Sequence, residues 1–177
     1  MRARVTFALL FVLAGRVAAQ PDLQTTLRSM YTNTLGGMQT ATTAADIERI
    51  VDAIDTPDWL SINADGARLT REQSKQELVR SLTGPRGDQP SIEILWLNQS
   101  GNAATAVCWV FGKSNALDTT GQFGPKGVRH ELLAGSLVRD SWTLTKEGWR
   151  RRMHEKIFPN RVLAVDGKSI VFPPTPK

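Results

Sequence analysis

Hydrophobic residues in the first half of the chain recur at helical spacing. A first stripe is formed by Leu23, Leu27, Met30, Tyr31 and Leu35. A second is formed by Ile47, Ile50, Val51 and Ile54. The second stripe follows a Thr43 capping box and stops at Asp55–Asp58, where Pro57 disfavours helix. Another capping box at Thr70 opens a third stretch of helical character. The pattern therefore predicts three helices, with a short strand at Trp59–Asn63 between the second and the third.

Beyond residue 90 the hydrophobic positions alternate, which is the period of a strand. The predicted strands carry Ile92 to Trp96, Thr105 to Phe111, Val128 to Thr145, and Trp149 to Ile157. A long loop is expected at Lys113–Gly127, and a small hairpin in the tail at Val162–Val165 and Ser169–Phe172. Helices that precede a run of antiparallel strands predict an α+β fold.

The N-terminus has the order of a secretory signal peptide. Arg2 and Arg4 precede the apolar run Val5–Ala14, and small residues end the segment at Ala19. We expect a signal peptide at 1–19, one domain at 20–158 and a tail at 159–177, in a periplasmic or secreted protein. No membrane attachment is expected after cleavage.

Charge and cysteine content narrow the expected partners. Removing the three arginines of the export segment from 22 Lys and Arg leaves 19 against 17 Asp and Glu, a balance that does not favour nucleic-acid binding. Cys108 is the single cysteine, so no intramolecular disulfide can form. With two histidines and no carboxylate cluster at ligand spacing, we expect no metal and no cofactor.

The end of the predicted domain carries its most distinctive residues. Arg139-Asp140-Ser141-Trp142 is followed by Gly148-Trp149-Arg150 and then by His154. With the order of elements, the helix Asp46–Ile54 and the Asp55–Asp58 break before Trp59, this ending resembles the NTF2-like superfamily, and within it the SnoaL-like or DUF4440-type proteins. The resemblance covers roughly residues 23–158.

The resemblance implies a cone in which a strongly bent antiparallel sheet wraps the helices and leaves a pocket at its open end. It also implies a homodimer formed through the outer face of the sheet. Relatives of this fold include isomerases, cyclases, hydrolases and proteins without known chemistry, so the fold does not fix the function.

Two residues are candidates for catalysis. Asp140 shares a strand face with Trp142, so we expect it inside the cone, where burial would raise its pKa. The alternative is a structural ion pair between Asp140 and Arg151. Tyr31, the single tyrosine, lies on the apolar stripe of the first helix.

A second group of residues is expected to bind a ligand, and comprises Arg151, Trp142, Trp59, Asn63 and His154. Alternation places Arg151 with Met153 inside the cone and His154 on the opposite face. Asn63 stands where the isomerase branch of the superfamily needs an aspartate base, and an amide cannot accept a proton.

These residues predict an exported domain that binds a small, partly apolar molecule in its pocket without catalysis. The alternative is a cofactor-free isomerase-, cyclase- or hydrolase-like enzyme that uses Asp140 and Tyr31, with Arg151 or His154. A third alternative is a dimeric structural domain whose pocket has no ligand.

Overall fold

The computed structural model describes residues 22–83 and 88–170. The predicted signal peptide at 1–19 and the last residues of the tail lie outside the described residues. Three helices and eight strands follow one another as α1 Leu23–Thr40, α2 Ala44–Ile54, β1 Asp55–Ile62, β2 Arg68–Thr70, α3 Arg71–Ser81, β3 Asp88–Ser100, β4 Ala103–Leu117, β5 Arg129–Thr145, β6 Gly148–Lys156, β7 Arg161–Val165 and β8 Lys168–Ser169.

Both predicted capping boxes are present. The Thr43 side chain accepts a hydrogen bond from the Asp46 backbone N–H, and the Asp46 carboxylate accepts one from the Thr43 backbone N–H. Thr70 and Gln73 exchange the same pair of bonds at the start of α3. These contacts satisfy backbone donors that the first turn of a helix leaves open, which is why α2 and α3 begin there.

The strands form one sheet in the order β2-β1-β6-β5-β4-β3. All pairs are antiparallel except β1 with β6, which run parallel, so the sheet is mixed rather than wholly antiparallel. The long strand β5 pairs with β6 along its second half and with β7 along its first half. The hairpin of the predicted tail therefore extends the main sheet.

Two segment boundaries differ from the sequence prediction. The strand predicted from Trp59 starts at Asp55, directly after α2, so the expected break is part of β1. Strand β4 continues to Leu117, five residues into the predicted loop, because it pairs with β5 as far as Arg129. The shortened loop folds around Asp118, whose buried carboxylate accepts backbone hydrogen bonds from residues 120–123.

Helix α1 packs across the concave face of the sheet. The main core cluster contains Leu27, Tyr31, Ile54, Ala104, Ala106, Cys108, Val138 and Trp142. The rings of Tyr31 and Trp142 meet edge to face with their centroids 5.3 Å apart. A smaller cluster of Ala41, Ile47 and Val51 joins α1 and α2 to α3. These two clusters leave a gap between α3 and the β1–β6 strand pair.

Candidate ligand site

A cavity of about 410 Å³ occupies this gap between α3 and the β1–β6 strand pair. Its apolar lining comes mainly from the helices and comprises Met38, Val51, Ile54, Leu69 and Leu78. The strands contribute the polar side chains Asp55, Ser61, Arg151, His154 and Lys156, together with Trp59, and Asn63 follows the end of β1. One site thus combines apolar walls with convergent polar groups, as small-molecule pockets commonly do.

Beneath the cavity, Asp140 is completely buried and holds three elements together. The Tyr31 hydroxyl of α1 donates a hydrogen bond to Asp140 Oδ2 at 2.5 Å. His154 Nδ1 of β6 lies 2.7 Å from the other oxygen, Oδ1. Because an ionised carboxylate only accepts hydrogen bonds, the proton of this contact is assigned to Nδ1.

Arg151 joins this network to the strand that follows α2. Its Nε and Nη2 atoms lie 2.8 and 3.3 Å from the two oxygens of Asp55, a two-pronged contact. Its Nη1 atom lies 3.9 Å from Asp140 Oδ2. The guanidinium also lies 5.6 Å from the ring centroid of Trp59, within cation–π range. The Asp140–Arg151 ion pair considered from the sequence is therefore the longer contact, and Asp55 is the closer partner of Arg151.

The network sets the protonation states of its members. Burial alone would raise the pKa of Asp140, but the charges of His154 and Arg151 and the hydrogen bonds from His154 and Tyr31 hold it below its usual range. The expected raised pKa of Asp140 is therefore wrong, because the residue is surrounded by donors. Burial, followed by the Asp140 charge, raises the pKa of Tyr31, which keeps the phenol protonated.

The pKa values of two further groups differ from their ordinary values. Burial raises the pKa of Asp55, although the Arg151 charge and hydrogen bond oppose this shift. Burial also raises the pKa of the Cys108 thiol to about 12, which excludes it as a thiolate nucleophile near neutral pH.

A bulge in β6 decides which side chains reach the cavity. Ser141 pairs with Met153 and Trp142 pairs with Arg151, so Arg152 is an extra residue opposite β5. An extra residue reverses the alternation of the strand beyond it. Arg151 and His154 therefore both line the cavity, and the prediction that His154 lies on the opposite face is wrong.

Strand β1 is irregular at the same level. Asp55 pairs with Arg151 and Leu60 pairs with Met153, so the four residues 56–59 face a single residue of β6. Arg152 contacts Asp58 at 3.2 Å across this double irregularity, and both side chains are largely exposed. The distortion brings Asp55 and Trp59 to the Arg151 side chain.

Several solved structures resemble this architecture. Aln2 from a Streptomyces species superposes with a TM-score of 0.55 at 14% identity, over 77% of this chain and 91% of that one. An NTF2-like protein with a cystatin-like fold from Novosphingobium aromaticivorans gives 0.50 at 16% identity, over 82% and 83%. The association domain of C. elegans CaMKII gives 0.50 at 11%, over 75% and 93%. The chain has the NTF2-like fold.

At these identities the comparison shows the fold alone. No family model matches the sequence, and no curated protein matches it. The comparison thus confirms the predicted NTF2-like fold with its α+β cone.

The NTF2-like scaffold divides the sequence-predicted site residues into two layers. Trp59, Asn63, Arg151 and His154 line the cavity. The other three, Asp140, Tyr31 and Trp142, lie in the core and do not line it. The two candidate catalytic residues do meet within hydrogen-bond distance, but below the pocket rather than in it.

Three of the polar residues that the strands contribute to the cavity were not predicted. Asp55 was interpreted as part of a helix-ending break, and its pairing with Arg151 depends on the register of two strands 96 residues apart. Ser61 and Lys156 lack a sequence signal of their own.

The described residues contain no group of three or more metal-ligating side chains placed to hold an ion. Among the same residues, no helix is both long and apolar enough to cross a membrane.

Proposed function

We propose that this chain is an exported NTF2-like protein whose cavity binds one small molecule with an apolar body and a hydrogen-bond-accepting polar group. The observation that supports this most directly is the position of Arg151. Its side chain lines a 410 Å³ cavity and is 14% exposed while Asp55 holds it in place. That volume falls within the roughly 300–1,000 Å³ typical of small-molecule sites.

The arginine retains donors for a ligand. A guanidinium carries five N–H groups, and the contact with Asp55 engages one on Nε and one on Nη2. The remaining donors suit a carbonyl or carboxylate oxygen, which Arg binds well when it is held in a fixed geometry. The apolar body of the molecule would contact Leu78, Val51 and the Trp59 ring.

Native mass spectrometry of residues 20–177, purified from an exporting host, tests ligand binding. We expect a chain that carries a co-purified molecule of small mass. The variant Ser74→Trp places a bulky ring in the cavity and should lose that mass. Retention of the same mass in this variant would place the ligand elsewhere, and an empty wild-type chain would favour an interaction role.

Export is proposed on the N-terminal sequence. Full-length expression in a bacterial host, followed by mass determination of the protein in the periplasm, should yield a chain that begins at Gln20. Recovery of the intact chain from the cytoplasm would contradict export.

We also propose that the protein forms a homodimer through the outer face of its sheet. Residues that alternate with the buried Ala104, Ala106 and Cys108 point away from the core on β4. Among them, Trp109 and Phe111 stack with centroids 5.9 Å apart. Trp96, paired with Val107 on this face, is 51% exposed. An apolar patch of this kind is typical of a protein contact surface.

Sedimentation measurements test the dimer. The variant Trp96→Lys should shift the protein towards monomer, because it places a charge in the proposed interface. Leu144→Lys is the matched control, because Leu144 is 41% exposed and alternation places it on the opposite face of the sheet, with the buried Trp142. Equal behaviour of both variants would contradict the proposed face.

A further inference from the structure

His154 has a hydrogen-bonding pattern suited to proton transfer. Its Nδ1 atom is engaged with the buried Asp140 at 2.7 Å, and its side chain is 19% exposed in the lining of the cavity. In the described part of the chain, no hydrogen bond involves its Nε2 atom. A carboxylate that accepts from Nδ1–H fixes the tautomer in which Nε2 carries the lone pair.

The other titratable groups of the network are less suited to act as the base. Asp140 is fully buried and lies beneath the cavity, out of contact with a bound molecule. Tyr31 is buried, protonated and already donates its proton to Asp140. Asp55 has both oxygens directed at Arg151. A general base must reach the proton that it removes, and among these groups His154 is placed to do so.

The cavity lining carries donors for an anion as well as the base. Arg151 and Lys156 line the same cavity as His154, together with the carboxylates of Asp55 and Glu77. An anion that forms on a bound molecule when it loses a proton would accept hydrogen bonds from the Arg151 N–H groups that Asp55 leaves open, as catalytic sites require. This combination suits a carbon acid, a molecule with a C–H bond next to a carbonyl or a comparable electron-withdrawing group.

We propose that the protein is an acid–base enzyme in which His154 Nε2 removes a proton from a carbon acid bound in the cavity. In this step the C–H bond breaks, the proton bonds to Nε2, and the electron pair moves onto the electron-withdrawing group beside Arg151. The imidazolium then returns the proton to carbon, so no co-reactant is consumed. Asp140 and Tyr31 are positioning residues, because they act on the substrate through His154. This inference rests on the proposed ligand site.

The base-promoted ring opening of 5-nitrobenzisoxazole provides a direct test with residues 20–177. A base removes the C–H proton of this probe, the N–O bond breaks, and the coloured 2-cyano-4-nitrophenolate forms. We expect the wild type to exceed the same concentration of free imidazole. His154→Ala should lower the rate about 100-fold or more, the usual contribution of a positioned base. His130→Gln, which removes the other histidine, should keep the wild-type rate.

Asp140→Asn separates positioning from structure. Without the carboxylate, the Nδ1–H group of His154 loses the acceptor that fixes its tautomer, so kcat for the benzisoxazole should fall while its KM stays unchanged. Arg151, Lys156, Asp55, Glu77 and Tyr31 are the other charged or titratable groups around the cavity and its network, and they are unchanged in this variant. If this variant does not fold, Tyr31→Phe keeps the carboxylate that orients His154 and should lower kcat with KM unchanged.

Binding of 1-anilinonaphthalene-8-sulfonate, an apolar fluorescent probe with one anionic group, distinguishes the two proposals. If this probe binds in the cavity but His154→Ala turns over the benzisoxazole as fast as the wild type, the base assignment is overturned and the ligand site stands. If the fluorescent probe does not bind, the ligand site itself fails. Turnover that depends on His154, together with probe binding, supports both.

Discussion

At the scale of single residues, the site depends on one buried carboxylate. Asp140 has no exposed surface, yet two donors and the nearby Arg151 guanidinium keep it ionised. A buried charge is stable only when its partners are present, because removing one leaves it uncompensated. Its neighbours are therefore expected to matter for folding as well as for function.

Tyr31→Phe removes one of these donors without changing the ring. We expect the free energy of unfolding to fall by about 1.5–3 kcal/mol, the range for hydrogen bonds to charged groups. Urea denaturation at neutral pH measures this change. A difference smaller than about 0.5 kcal/mol, the size of an ordinary surface substitution, would mean that the Tyr31–Asp140 bond contributes nothing to stability.

The lowered pKa of Asp140 predicts how stability depends on pH. A carboxyl group whose pKa is lower in the folded state stabilises the protein above its unfolded pKa of about 3.9, and this contribution is lost as the pH falls through the folded value. The wild type should therefore lose more stability on acidification below about pH 4 than Asp140→Asn does. Thermal unfolding from pH 7 to pH 2 compares them, and parallel curves would contradict the assignment.

Trp142 tests the core beneath the site. Its ring is 2% exposed and packs against Tyr31, so Trp142→Ala should cost about 3–5 kcal/mol. Trp96→Ala is the control, because Trp96 is 51% exposed and its loss should cost less than about 1 kcal/mol. Denaturant titration of both variants as monomers makes the comparison. A cost near zero for Trp142 would show that its strand faces the other way.

At the scale of secondary-structure elements, the sequence predicted most of the fold. The helix caps at Thr43 and Thr70 and the apolar stripes depend on residues within one or two turns of helix. They can therefore be recognised from the local sequence. The parallel pairing of β1 with β6 is different, because it depends on contacts between residues almost a hundred positions apart. A parallel neighbour leaves no hairpin turn in the sequence to reveal it.

The direction of a site side chain could be predicted from the sequence only where the residues of its strand alternate regularly between the two faces of the sheet. Arg151 was expected inside the cone, and it lines the cavity. His154 was expected outside, and the extra residue Arg152 reverses its direction. A bulge has no strong signal in a single sequence. Residues 150–152 are all arginine, so their pattern shows no break in alternation where the bulge lies. Asp55 could not be identified because its role exists only once Arg151 is placed opposite.

Deletion of Arg152 tests the bulge. Removing this residue leaves Arg151 and His154 two positions apart, so regular alternation keeps both side chains in the cavity and His154 opposite Asp140. The His154-dependent turnover of 5-nitrobenzisoxazole should therefore remain. Arg152→Ala keeps the strand length and loses only an exposed ion pair with Asp58, which is worth about 0–1 kcal/mol. This control should keep the wild-type rate. Loss of turnover in the deletion variant alone would mean that Arg152 is a regular residue of the strand and would contradict the bulge.

At the scale of the whole molecule, the cavity and the outer sheet face lie on different sides of the fold. Helix α3 and the β1–β6 pair enclose the cavity, whereas the apolar outer face belongs to β3, β4 and β5. Ligand binding and dimerisation should therefore be separable. Trp96→Lys is expected to leave the cavity intact while it weakens the dimer.

The ligand site proposed in the cavity between α3 and the β1–β6 pair can be tested by binding alone. The most direct test is a fluorescence titration of 1-anilinonaphthalene-8-sulfonate into the wild type, Ser74→Trp and Gln76→Trp. Ser74 lines this cavity, while Gln76 lies on another face of α3 and controls for the added tryptophan. Near-ultraviolet circular dichroism confirms that all three proteins are folded.

We expect one saturable site per chain in the wild type and in Gln76→Trp. In Ser74→Trp we expect at least a ten-fold loss of affinity. Equal binding by all three proteins, or no binding by the wild type, would rule out a ligand site in this cavity.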